Sequence, residues 1–156
     1  MRFKALMLTL VLLLPGCLDS EGEEIRFNGR NLEGSDVYMF TLEDSTGPLW
    51  NLTEQEGKVV VLAFIFTRCD NTCPVTSQNL KVVYESLTED ELAKVSFVSV
   101  TVDWRHDSPS ELNNWSDRMG YDWPHLTGAK QALDPVYENY GVFPVEQGDD
   151  SDEGYT

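Results

Sequence analysis

Eight consecutive apolar residues, VVVLAFIF at 59–66, interrupt an otherwise mixed pattern of polar and hydrophobic positions. The run is too short for a helix and β-branched at its start, so it predicts a central strand buried on both faces, as in a parallel sheet. Two cysteines and Pro74 follow. Proline suits the first position of a helix, where its missing N–H costs nothing. Leu80, Val83, Tyr84 and Leu87 then recur with helical spacing, predicting a helix that ends near 86 or 87. A second apolar stretch, VSFVSVTV at 95–102, predicts another strand. SPSE at 108–111 is a capping-box pattern with proline just inside the helix, and Leu112, Trp115 and Met119 give that helix its inward face before Gly120 stops it. A short extended piece at 123–126 precedes a helical segment at 129–140, closed by Gly141. Asp134-Pro135 is expected to restart or kink that segment, because the residue before proline avoids the helical region. Upstream, VYMFTL at 37–42 predicts a strand and EDSTGP at 43–48 a turn.

Strand, helix, strand, helix in this order describes a right-handed βαβ unit in an α/β fold. Open α/β sheets place their sites beyond the carboxyl ends of the strands, and Cys69 and Cys73 fall at that edge. The chain has 156 residues, a one-domain length that needs no disulfide scaffold to hold a core.

The amino terminus changes the picture. Arg2 and Lys4 precede nine largely apolar residues, 6–14, and then small or turn-forming residues. A membrane-spanning helix needs roughly 20 residues, so this reads as a signal peptide. The ending Leu14-Pro15-Gly16-Cys17 resembles the lipobox of secreted lipoproteins, which makes Cys17 the expected lipidation site. Residues 1–16 are therefore assigned to a lipoprotein-type signal, 17–36 to an anchor site and polar tether, and 37–156 to the folded domain. The expected location is the cell membrane, lipid-anchored and facing the extracytoplasmic side. A formal charge of −16 argues against nucleic acid and against an electrostatic hold on anionic lipid. The acidic runs at 21–24 and 146–153 read as solvated loops.

If Cys17 carries lipid, Cys69 and Cys73 remain for chemistry. A helix start has unpaired N–H groups and a partial positive charge, which lower a thiol's pKa from about 8.5. Arg68, beside Cys69, is placed to add to this effect. Thiolate is the form that attacks disulfides and that binds soft ions such as Cu(I). A redox or copper site, a structural disulfide and inert buried thiols all remain open on spacing alone.

The segments FTLEDSTG (40–47), GKVVVLAFIFTRCDNTCP (57–74), VTVDWRHDSP (100–109), LTG (126–128) and YGV (140–142) resemble the Sco family, also called SenC or PrrC. The resemblance implies a thioredoxin-like fold and a copper chaperone for cytochrome c oxidase assembly, with Cys69 and Cys73 as the copper-binding, redox-active thiols. It implies copper, as Cu(I) or Cu(II), as the ligand. The implied partner is the oxidase's copper-bearing subunit or another thiol-containing assembly factor. Asp103 and Asp107 match acidic positions expected to shape their loop, while Trp104, Arg105 and His106 depart from the proline, glutamate and arginine usual there. The family's third ligand is a histidine in a VDHS-like segment after an acidic or glycine-rich loop. Here that loop, VEQGDDSDEGYT, reaches Thr156 without it, and the sequence is read as truncated before the closing strands and last helix.

His106, expected at the same sheet edge as the cysteines, is the candidate substitute ligand, and His125 a weaker one. Tryptophans 50, 104, 115 and 123 are expected as packing anchors. Two enzyme readings stand beside the chaperone. One is a thiol-disulfide oxidoreductase that keeps a partner's cysteines reduced. The other, a peroxidase of the peroxiredoxin type, lacks the threonine usual three residues before the attacking cysteine.

Overall fold

The computed structural model describes residues 36–69 and 72–144, with the backbone alone for Thr72 and Cys73. The expected signal peptide, Cys17, most of the tether and the acidic tail lie outside the described residues.

The sheet is built on β3 (Val59–Ile65) and β4 (Val95–Thr101), which pair in parallel from Val59 opposite Val95 to Ile65 opposite Thr101. The crossover between them is α1 (Thr72–Ser86) followed by the short α2 (Glu89–Leu92). From β4 the chain passes through α3 (Pro109–Met119) to β5 (His125–Thr127), also parallel to β4. An antiparallel hairpin of β1 (Thr41–Asp44) and β2 (Leu49–Asn51) docks on the other side of β5. The described sheet therefore runs β2-β1-β5-β4-β3, a mixed sheet, and α4 (Lys130–Tyr140) follows β5.

Strand alternation divides the core into two layers. Val98, Val100 and Val102 point with Val60, Leu62 and Phe64 toward Leu133, Val136 and Tyr137 of α4. Phe97, Ala63 and Ile65 point the other way, toward Leu112 and Trp115 of α3 and Leu80 and Tyr84 of α1. Trp50, Trp115 and Trp123 are buried in these layers, and the Arg105 guanidinium lies over the half-buried Trp104 ring at 5.1 Å, so the tryptophans pack as expected.

Several boundaries differ from expectation. β3 ends the described sheet rather than occupying its centre. Val59 is exposed and Val60, Val61 and Leu62 are half-buried, because only β4 pairs with it among the described residues. α1 begins at Thr72, which places Pro74 third in the helix, still within the first turn whose N–H groups have no helical acceptor. Val83 is exposed; the inward face is carried by Ser77, which is 1% exposed, with Leu80, Tyr84 and Leu87 half-buried. β1 starts at Thr41 rather than 37 and runs into the expected turn, because the Asp44 carboxylate closes that turn by accepting from the Thr46 N–H at 2.9 Å. The strand β2 and the short α2 had no expectation. α4 runs through Pro135 as one helix. Its buried face anchors it to the sheet, and the Tyr137 hydroxyl donates to the Thr101 carbonyl at 2.7 Å. Half of the expected α3 capping box forms: the Ser108 hydroxyl accepts from the Glu111 N–H at 3.3 Å, but the Ser108 N–H donates to the His106 carbonyl at 3.0 Å; Gly120 stops the helix in the left-handed region as expected.

Candidate metal centre

β3 ends at Ile65, and the chain turns through Phe66, Thr67 and Arg68 to reach Cys69. The turn closes with the Cys69 N–H donating to the Phe66 carbonyl at 3.3 Å. The Cys69 side chain is half-buried against the layer formed by α1 and α3. Cys73 is the second residue of α1, so one cysteine precedes the helix and the other lies in its first turn. That first turn carries no acidic residue. Its N–H groups give the helix start a partial positive charge beside the cysteines. The expected sulfur pair is described at Cys69 only, because the Cys73 side chain lies outside the described residues.

The β4–α3 loop is tied to this turn at two points. Asp107, 0% exposed, accepts from the Thr67 N–H at 3.1 Å, from the Thr67 hydroxyl at 2.6 Å and from the Thr101 hydroxyl at the end of β4. Its backbone carbonyl accepts from the Thr127 hydroxyl at 2.9 Å, so one residue joins β3, β4 and β5 at their carboxyl ends. Burial pushes the Asp107 carboxyl above its ordinary value, and the hydrogen bonds from Thr101 and Thr67 oppose that without cancelling it.

The second tie is Asp103, 3% exposed, whose Oδ2 accepts from Arg68 Nη2 at 2.8 Å. Its Oδ1 lies 2.8 Å from His106 Nδ1, and Arg68 Nη2 lies 2.7 Å from that same nitrogen. Nδ1 needs a proton to donate to the ionised Asp103 and a free lone pair to accept from Arg68, so a given tautomer makes only one of these two hydrogen bonds. Burial works to raise the Asp103 pKa, but the hydrogen bonds and charges of His106 and Arg68 outweigh it and hold the pKa below its ordinary value. Arg68 thus binds Asp103 Oδ2 through both Nε, at 3.3 Å, and Nη2, at 2.8 Å.

His125 is 1% exposed and sits among Trp115, Tyr121 and Trp123 on the α1–α3 side of the sheet. Neither ring nitrogen makes a hydrogen bond of ordinary geometry, the approach of the Tyr121 backbone being too poor to count as one, and burial lowers the pKa to about 4 against weaker opposition from that backbone and Asp44. It is a core residue. His106 instead stands at the cysteine edge, through Arg68. Among the described residues no three His, Cys, Asp or Glu side chains group as a metal site, and Asp70 and the Cys73 side chain are not among them. Thr67 and Thr101, the donors to Asp107, were not singled out in the sequence. Threonine in a strand or turn carries no signal until the fold brings a buried carboxylate to it.

Comparison with known proteins decides the family: residues 31–156 match SCO1/SenC. The chain belongs to the SCO1/SenC family. An SCO2-like protein of Rickettsia felis is 28% identical over 117 residues, covering 74% of this chain and 57% of that protein. The SCO1 protein homolog of Bacillus subtilis is 28% identical over 100 residues, covering 62% of this chain and 51% of its own length. This SCO1/SenC chain therefore spans little more than half the length of these curated relatives. The apo Sco1 protein of Thermus thermophilus superposes with a TM-score of 0.69 at 29% identity, over 83% of this chain and 77% of that one. Yeast Sco1 superposes with a TM-score of 0.64 at 23% identity, covering 72% of each chain. The fold is thioredoxin-like, as the sequence resemblance implied.

Proposed function

We propose that this SCO1/SenC chain binds copper through Cys69 and Cys73 and delivers it to cytochrome c oxidase from a lipid-tethered, extracytoplasmic position. The observation that carries the reading is the placement of the cysteines. One lies on the turn beyond β3 and the other in the first turn of α1, in a chain whose family match includes both. Thiolates are soft donors suited to Cu(I), and the positive helix end favours their ionised form. Related folds support copper as the cargo. The Bradyrhizobium japonicum and Arabidopsis thaliana ScoI structures and one yeast Sco1 structure have copper bound, and a curated relative in Stutzerimonas stutzeri is a putative copper-binding protein. BsSco is described as a member of a family of cytochrome c oxidase assembly proteins. A SCO1/SenC family lipoprotein from Bacillus anthracis supports lipidation at Cys17.

In this reading, loading requires the dithiol. Each thiol gives up its proton to bind the ion, and a Cys69–Cys73 disulfide first takes two electrons and two protons from a thiol reductant. The disulfide switch described for BsSco supports a second reading, in which the same pair exchanges disulfides with a partner's cysteines.

Chelator competition with Cu(I) on the reduced protein separates the two. Wild type is expected to hold Cu(I) in equimolar amount, and Cys69→Ser or Cys73→Ser to lose at least tenfold in affinity, the loss of one soft donor being worth more than about 1.4 kcal/mol. Equal affinity in wild type and both variants would remove the copper reading. Reduction of a mixed-disulfide substrate without copper would favour the oxidoreductase.

A further inference from the structure

Beside the turn between β1 and β2 lies a cavity of about 330 Å³ to which the cysteine turn contributes no residue. The turn itself, the second half of α3 and the 121–125 segment leading into β5 make its walls. Three aspartates, Asp44, Asp117 and Asp122, line it, and no lysine or arginine does.

Two buried side chains in the same lining lack the hydrogen bonds that burial calls for. Tyr121 is 4% exposed and its hydroxyl has no partner. His125 is 1% exposed and its ring makes no hydrogen bond of ordinary geometry. With its pKa brought to about 4 by burial, the imidazole is neutral at pH 7 and one nitrogen offers a lone pair. One water needs only about 10–15 Å³, so the cavity has room for a much larger group.

The lining selects the chemistry of that group. Carboxylates, a phenol oxygen and an imidazole lone pair all accept, so the occupant must donate, and acidic walls without a basic residue favour a cation. The acceptors are spread out: among the described residues no three His, Cys, Asp or Glu side chains group as a metal site, so a point charge would reach few of them. A guanidinium has five N–H donors in one plane, accepts nothing and stacks on aromatic faces. Tyr121 and Trp123, stacked with centroids 5.0 Å apart, both line the cavity. The hydrogen bonds of the β1–β2 turn all go to Asp44 Oδ1, which leaves Oδ2 for a further donor.

We propose that this cavity binds a guanidinium group, with Asp44, Asp117 and Asp122 balancing its charge and Tyr121 and His125 accepting from its N–H groups. The group is carried by a small guanidino compound or by an arginine side chain, which share this chemistry.

The chain has two histidines, so labelling histidine with heavy nitrogen gives a direct reading. The full chain, at neutral pH and constant ionic strength, is titrated with methylguanidinium while the imidazole nitrogen resonances are followed by NMR, with His125→Phe assigning the pair. The expected result is a saturable shift of the His125 signals in the millimolar range open to so small a ligand, with His106 unmoved. Tetramethylammonium, a cation without N–H groups, is expected to move neither. Tyr121→Phe, Asp117→Asn and Asp122→Asn are each expected to weaken binding by about threefold or more. Tighter binding of N-acetyl-arginine amide than of methylguanidinium assigns the site to an arginine side chain, and the reverse order to a small guanidino compound. Absence of a saturable His125 shift overturns the proposal. So do equal shifts of both histidines or an equal effect of tetramethylammonium, which mark diffuse attraction to an acidic chain, and so does undiminished affinity in all three variants.

Discussion

Exchanging His125 for phenylalanine is expected to make the protein markedly less sensitive to acid. The imidazole is 1% exposed, lies against aromatic rings and makes no hydrogen bond of ordinary geometry on either nitrogen. Burial brings its pKa from 6.5 down to about 4. The unfolded chain therefore takes up a proton at a pH where the folded chain refuses one. Stability from this group is intact above 6.5 and falls as pH drops toward 4, by about 3 kcal/mol in total. Asp107 acts in the opposite direction. Its pKa is raised, so its contribution is fullest at low pH and declines as pH rises from 3.8 through the folded value. Asp103, with a lowered pKa, adds acid sensitivity only below its ordinary value of 3.8. The informative quantity is thus the difference between wild type and variant at each pH, in which the shared groups cancel. Denaturant unfolding at neutral pH and at steps down to pH ~4.5 is expected to show the variant gaining about 2 kcal/mol or more relative to wild type. A difference that stays flat across that range would show that His125 is not held neutral by the core.

Removing the Asp107 carboxylate is expected to be the most damaging single change at the candidate site. Asp107→Ala leaves the Thr67 N–H, the Thr67 hydroxyl and the Thr101 hydroxyl without their acceptor inside a closed environment. An unsatisfied buried donor costs about 1–3 kcal/mol, and the hydroxyls recover part of that by turning. Relief of a buried charge offsets some of the rest, consistent with the raised pKa. The net expectation is a loss of about 2–4 kcal/mol for alanine and about 1 kcal/mol for Asp107→Asn, which keeps a carbonyl oxygen for Thr67. Thermal or denaturant unfolding measures both. Because Thr67 stands two residues before Cys69, the alanine variant is also expected to release copper faster in chelator exchange. An alanine variant within about 0.5 kcal/mol of wild type would mean that the three donors find other partners, and the clasp would have no structural role.

Much of the frame is written locally. The apolar run at 59–66 could only be a strand, Ser108 and Pro109 could only open a helix, and Gly120 and Gly141 stop theirs in the left-handed region that L side chains avoid. The same locality placed Cys69 and Cys73 at a strand-to-helix junction. Pro135 misled because its cost to a helix is local and limited, while the burial of Leu133, Val136 and Tyr137 on both sides of it holds the helix together. The apolar run predicted burial on both faces, but burial depends on which strands pair alongside, and that is a property of the sheet.

By itself the sequence determined the βαβ order, where the helices stop and the position of the sulfurs, because each depends on neighbours within a few residues. Only the tertiary structure decided the rest of the site. Thr67 meets Asp107 across 40 positions of chain, Arg68 meets Asp103 across 35, and two histidines of the same sequence part company, one into a dry aromatic layer and one onto a carboxylate beside Cys69. Such contacts depend on how the sheet closes and on what it shields from water, which no short stretch of chain encodes.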